Sequence, residues 1–263
     1  MDLSFYELVS YFFVYGFLGW CTEVCFQALS KGKLVNRGFL NGPICPIYGV
    51  GVVLVVWILE PLAPHGTILF FGSIVLCSLL EWITGFLLEK LFHQKWWDYS
   101  NEPFNIGGYI CLRFSIMWGF ACVFAVYLLH PTIVWLLSLI PHTAGILILS
   151  VLGACFVTDC LATINTMLGL NRILKHLDHS AAKLRKVSDE ITESLYEGSM
   201  KARSDFEEHK EHLEKLHLEK KLSRSHKRLL KAFPGASSTK YEDAMRTLRD
   251  HMKEHKKHRR SEK

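Results

Sequence analysis

Charge is scarce over most of this 263-residue chain. Residues 1–169 hold six basic side chains (Lys31, Lys33, Arg37, Lys90, Lys95 and Arg113) against nine acidic ones, a net charge of −3. So few charges cannot dress the surface of a water-soluble domain of that length. Paired metal-ligand or redox motifs are lacking too. The eight cysteines form no CxxC pair, and Cys21 and Cys25 lie four apart on one expected helix. They read as small apolar residues, with neither a disulfide framework nor a metal site implied. No GxxxxGK[ST], HExxH or GxSxG occurs, which argues against a P-loop ATPase, a zincin and an α/β-hydrolase. No resident cofactor is expected. No inverted repeat is visible either: five apolar segments do not divide evenly, and nothing in the fifth matches the glutamate pattern of the third.

What is present instead is long apolar runs, at about 5–28, 44–62, 67–90, 108–130 and 143–168. A helix needs roughly 20 mostly apolar residues to cross a bilayer core of about 30 Å. Each run is expected to be helical, because a lipid-facing backbone must satisfy its own hydrogen bonds, and none alternates as barrel strands do. The first run lacks a basic n-region and a small-residue cleavage site, so it reads as a retained span. The fold class expected is all-α: a polytopic membrane bundle of about five helices over residues 1–169, followed by a charged helical tail over 170–263.

Loop charges alternate. Lys31, Lys33 and Arg37 follow the first span, and Lys90 and Lys95 follow the third; the loops around Glu60–Gly66 and Pro131–His142 hold no Lys or Arg. With basic loops inside, the N-terminus lies outside and the C-terminus in the cytoplasm of a cell-membrane protein. The apolar stretch Thr132–Ile140, bounded by prolines, is expected to form a separate short helix in the outer interface.

The tail carries 24 basic and 16 acidic residues, a net +8. Leu174, Leu177, Ala181, Leu184, Ser188, Ile191 and Leu195 recur at spacings of three and four, a coiled-coil-like seam through which the chain could homo-oligomerise. A second helix is expected over about 200–232, with Phe206, Leu213, Leu216 and Leu222 on its apolar side. Phe233-Pro234-Gly235 stops it, and a last helix follows over about 240–256. The basic tail can attach to an anionic leaflet or simply keep a helical stalk soluble; the interspersed acids favour the stalk. Without aromatic interleaving or a recognised module, nucleic acid is not an expected partner.

Charges inside spans are the sharpest functional signal, since each costs about 2.5–3.5 kcal/mol at mid-membrane on insertion scales. The first span carries Glu23. The third carries Glu81 and Glu89 about 80° apart around the helix, with Gly85 between them. The fourth carries Arg113, and the fifth Asp159 and Asn165. Glu23 and Glu89 lie near the interface, where snorkelling also explains them, and Arg113 could simply neutralise Glu81 or Glu89. The functional alternative is a polar cavity open to the cytoplasm, lined by Glu23, Glu81, Glu89 and Arg113. Two loops on that side strengthen it. Asn36-Arg37-Gly38-Phe39-Leu40-Asn41-Gly42-Pro43 is dense in turn formers, and Trp96-Trp97-Asp98-Tyr99-Ser100 leads into Asn105-Ile106-Gly107-Gly108. Arg37, Asn41, Asp98 and Asn105 join the candidate substrate-binding set for that reason.

These motifs together resemble the ABC-transporter type IV, or CmpB-like, permease family. The residues that carry the likeness are Gly19-Trp20-Cys21-Thr22-Glu23, Asn36 to Pro43, Pro46-Ile47-Tyr48-Gly49, Glu81-Trp82, Glu89, Trp97-Asp98-Tyr99-Ser100, Asn105-Ile106 and Trp118-Gly119. Arg228-Leu229-Leu230-Lys231-Ala232-Phe233-Pro234 resembles an extension of bacterial members. The resemblance implies a permease subunit that works with a separate ATPase chain. The residues leave two alternatives open: a membrane-embedded enzyme acting on a lipid or lipid-linked substrate through Glu81, Glu89 and Asp98, and a scaffold acting through its tail.

Overall fold

A computed structural model describes residues 3–32, 35–59, 61, 63–194 and 222–261. Helix α1 spans Phe5–Lys31, opened by a capping box between Ser4 and Glu7 and closed by Gly32 in the left-handed region. Helix α2 covers Pro46–Leu59 and α3 covers Gly66–Phe92. Helix α4, Leu112–Phe124, passes through a π-turn at Ala125–Leu129 into α5, His130–Ser138. Helix α6 runs unbroken from His142 to Ser194. The C-terminal part holds α7, Arg224–Ala232, and α8, Glu242–Ser261. Four two-residue strands complete the described elements: β1 (Gln94–Lys95) pairs with β4 (Ser237–Ser238), and β2 (Asn105–Ile106) pairs with β3 (Ile110–Cys111).

Among the described residues, four helices are long and apolar enough to cross a membrane: Phe5–Leu29, Gly66–Phe92, Leu112–Ser138 and His142–Ala182. The chain is thus a mostly helical multi-pass membrane protein, with four such helices where five were expected. The difference is α2. Its 14 residues rise only about 21 Å, short of a bilayer core. Pro43, Pro46 and Pro61 bracket the segment and leave little room for a longer helix. The expected interface helix at Thr132–Ile140 is corrected as well, because α5 continues α4 as one span. Pro131 has no N–H and crowds the carbonyl four residues earlier. The preceding π-turn, in which the His130 N–H reaches back to the Ala125 carbonyl, absorbs that conflict without ending the helix.

The transmembrane core lies between α2, α3 and α4, where Val55, Leu59, Leu69, Cys77, Cys122 and Val126 are buried together. At one end of the bundle, the loops after α1 and α3 meet the C-terminal lobe formed by α7, β4 and α8. Trp96 is packed edge-on between Phe39 (5.6 Å) and Phe233 (5.2 Å). Arg228 donates to the carbonyls of Gly38 (2.8 Å) and Phe39 (3.1 Å), and Gln94 donates to Asn171 (2.8 Å).

The expected tail seam is only partly a seam. Leu170, Ile173 and Leu174 are buried against Leu230, Ala244, Met245 and Leu248 of the same chain, with Leu177 and Leu222 packed alongside. That stretch of α6 is therefore covered from within. The expected second helix is described from Arg224 and ends at Ala232, just before Phe233-Pro234-Gly235. Phe206, Leu213, Leu216 and Leu195 lie outside the described residues.

His226 fastens the lobe. Its Nδ1 accepts from the Ser223 N–H (3.1 Å) in a capping box, so its Nε2–H donates to the Thr166 carbonyl (2.9 Å). Burial pushes its pKa below the ordinary 6.5, partly opposed by the bond to Thr166. A depressed value means that the undocked state binds the proton more readily, so docking is complete above about 6.5 and weakens as pH falls through it. As pH falls through about 6.5, protection of the Leu229 and Leu230 amides, measured against their intrinsic exchange rates, is expected to decline, and His226→Gln should remove that pH dependence.

Candidate functional site

Helix α3 presents Cys77, Glu81 and Gly85 as buried positions one turn apart, with Glu89 one turn further. The loop between α3 and α4 folds back over this stripe. Glu81, 6% exposed, accepts from the Tyr99 hydroxyl (3.2 Å) on Oε1 and from the Trp118 indole N–H (3.2 Å) on Oε2. Both partners are neutral donors, and among the described residues no ion pair reaches Glu81. One turn on, Gly85 gives the loop its seat: a Cβ there would lie 2.9 Å from the Tyr109 ring and 3.2 Å from Trp97. The Trp97 indole N–H donates to the Tyr109 carbonyl (2.9 Å), and the Tyr109 hydroxyl donates to Glu89 (2.6 Å). That bond to Glu89 pushes the Tyr109 phenol up to about 12, so it remains a donor at neutral pH. Lys95 stands 3.8 Å from Glu89.

A second carboxylate approaches from α1. Glu23 accepts from the Tyr48 hydroxyl (2.7 Å) and pairs with Arg37 (3.3 Å). The Tyr48 ring meets Trp118 edge-on at 5.1 Å, so a continuous polar and aromatic chain runs from Arg37 through Glu23, Tyr48 and Trp118 to Glu81. Gly19 makes this possible, because a Cβ on it would fall 2.3 Å from Tyr48 Cγ.

The loop after α1 is pinned by Asp159 of α6. Asp159 accepts from the Asn41 backbone N–H (3.1 Å) and side-chain amide (2.8 Å), and from the Gly42 N–H (2.7 Å). Asn36 closes the turn, taking a bond from the Trp20 indole (2.7 Å) and donating to the Asn41 carbonyl (2.8 Å).

Of the eight residues singled out from sequence, Glu23, Arg37 and Glu81 belong to one connected network, and Glu89 lies one loop contact away. Asn41 holds the neighbouring loop to Asp159. Asp98 is exposed and bound to the Ser100 N–H (3.0 Å) and hydroxyl (2.5 Å), which hold its carboxyl below the usual range. Asn105 bridges the same loop, donating to the carbonyls of Ser100 and Glu102 and accepting from the Gly108 N–H. Arg113 stands apart. It is the second residue of α4, its side chain is 69% exposed, and its ion-pair partner is Glu102 at 4.0 Å, not Glu81 or Glu89.

The loop side chains Tyr99, Tyr109 and Trp97 lie over the Glu81–Glu89 stripe. A groove of about 580 Å³ lies elsewhere, on the apolar face between α2 and α3, bordered by Leu59, Phe71, Gly72, Val75 and Leu79. Among the described residues no group of three or more His, Cys, Asp or Glu is placed to hold a metal ion.

Sequence reasoning left Tyr48, Tyr99, Trp118 and Asp159 out of the site. The usable signal was chemical: a buried carboxylate needs donors, and these aromatic donors sit in the other short motifs that carry the family resemblance.

A family model matches residues 10–164, more than half of the chain, including Glu23, Glu81, Glu89 and Asp159. The chain belongs to the family described as Putative ABC-transporter type IV. No curated protein and no solved structure matches it. Membership in this transporter family and the apolar helices together fit a membrane protein related to transport. The matched region ends before the C-terminal lobe.

Removing either donor to Glu81 leaves buried polar groups short of a bond. Tyr99→Phe and Trp118→Phe are each expected to destabilise the protein by about 1–3 kcal/mol. Thermal unfolding in detergent measures this, with Arg113→Gln as the near-neutral comparison.

Proposed function

We propose that the protein is a transport permease subunit in which Glu81 is the carboxylate that receives a cation or a proton. One observation carries this reading. Glu81 is buried in an apolar bundle with hydrogen bonds from neutral donors only, whereas Glu23 and Glu89 each have a basic partner. A carboxylate balanced by a fixed arginine or lysine is already neutralised; one met only by phenol and indole can take up a positive species and give it back. The covering loop from His93 to Cys111 is the natural gate, because moving Tyr99 and Tyr109 off α3 uncovers Glu81 and Glu89 together. The alternating loop charges support an orientation with this end in the cytoplasm. The lack of a P-loop supports a separate ATPase chain if transport is driven by nucleotide.

The test is thermal unfolding of the detergent-purified protein with a panel of monovalent cations, small amines and amino acids, each repeated in Glu81→Gln and Glu89→Gln. A ligand of the folded state raises stability by mass action, about 2.7 kcal/mol at 100 times its Kd. The expected result is a stabilising cationic compound whose effect disappears in Glu81→Gln and persists in Glu89→Gln, followed by uptake of that compound into proteoliposomes. Failure of every compound, with Glu81→Gln merely less stable, would make Glu81 a packing residue and overturn the reading.

A further inference from the structure

Helix α7 carries a basic outer face. The sequence Arg224-Ser225-His226-Lys227-Arg228-Leu229-Leu230-Lys231-Ala232 contains four basic residues and no acid. Its inner face is committed to the protein: His226, Leu229, Leu230 and Ala232 are buried, and Arg228 turns in to the carbonyls of Gly38 and Phe39. Arg224, Lys227 and Lys231 are exposed and recur at spacings of three and four, so they form one outward stripe. Arg172 and Lys175 are exposed on the adjoining turns of α6.

Depth follows from α6. The rise from His142 to Thr166 is about 36 Å, more than the roughly 30 Å hydrocarbon core and within the roughly 40–45 Å that includes head groups. His226 bonds to the Thr166 carbonyl, and Leu229 packs in one cluster with Met167. Helix α7 is therefore held beside the turn of α6 that lies about 36 Å along the helix from His142. The acids of the described lobe, Glu242, Asp243, Asp250 and Glu254, all lie on α8.

An amphipathic helix held at this depth, with cations on its outer side, has the chemistry of an interfacial lipid contact. We infer that the outer stripe of α7, Arg224, Lys227 and Lys231, is a docking surface for anionic phospholipid head groups, which fasten the C-terminal lobe to the membrane surface. This is independent of what Glu81 binds.

The experiment uses the full-length protein in an uncharged detergent, titrated with micelles doped with phosphatidylglycerol or with phosphatidylcholine. The readouts are the unfolding temperature and amide exchange at Leu229 and Leu230. Phosphatidylglycerol is expected to raise the one and slow the other, and phosphatidylcholine to do neither. Each basic residue near an anionic surface contributes roughly 1 kcal/mol, so R224Q/K227Q/K231Q should need roughly a hundred-fold more phosphatidylglycerol for the same effect. The comparison variant K256Q/K257Q/R259Q removes equal charge from the chain end and should behave as wild type. Three results overturn the inference: equal stabilisation by phosphatidylcholine, equal stabilisation by inorganic phosphate, or equal loss in the comparison variant, which would mean that net tail charge alone is felt.

Discussion

Burying a carboxylate inside an apolar bundle is the constraint from which most of this architecture follows. Glu81 lies on a helix whose other buried positions are mainly small or apolar, in a medium where an unmet charge is costly. The protein meets it with hydrogen-bond donors, and among the described residues no cation pairs with it. Tyr99 has to be brought in from a loop, and Trp118 from α4. The loop can lie close enough only because Gly85 leaves room for Tyr109 and Trp97. The two-residue β2–β3 pairing, the Asp98 turn and the Asn105 bridges then read as the means of holding that loop in shape.

The same logic recurs on α1 and α6. Glu23 is met by a phenol and an arginine, and Gly19 is small enough for Tyr48 to reach across. Asp159 meets backbone N–H groups of Asn41 and Gly42, so a membrane-embedded acid organises a loop far away in sequence. Loops at this end are thus specified by bonds to helices, not by their own turn propensities alone. The C-terminal lobe adds a further layer through Trp96, Arg228 and His226. Of the carboxylates at this end, Glu81 is the most deeply buried, while Glu23 and Glu89 remain partly exposed beside their basic partners.

How much of this was legible beforehand differs by element. Apolar length fixed α1, α3 and the start of α6 well, because a lipid-facing helix must be both long and apolar, but α6 runs on past the apolar stretch to Ser194. Apolar character alone overstated α2, where prolines at both ends keep the helix to 14 residues. It also split α4 from α5, since Pro131 looks like a terminator until a π-turn is allowed for. For the site, charge inside a span pointed to Glu23 and Glu81 for a sound energetic reason. It failed for Arg113, which lies at the start of α4 and turns outward to Glu102. Asp98 and Asn105 were noticed for their polarity, yet their bonds close locally within the loop.

By itself, then, the sequence determined that most of this chain belongs in a bilayer, that acids sit where acids are expensive, and that a basic tail follows. These properties depend on local composition and on the cost of moving each residue from water, which a linear reading can estimate. Only the tertiary structure decided which donor meets which acid. Tyr99 and Glu81, Tyr48 and Glu23, and Asn41 and Asp159 are far apart along the chain, and their meeting depends on helix rotation, on the room left by glycine and on the path of a loop. The tertiary structure likewise decided that the leucine-rich start of the tail packs on its own chain, because α7 and α8 return to cover it.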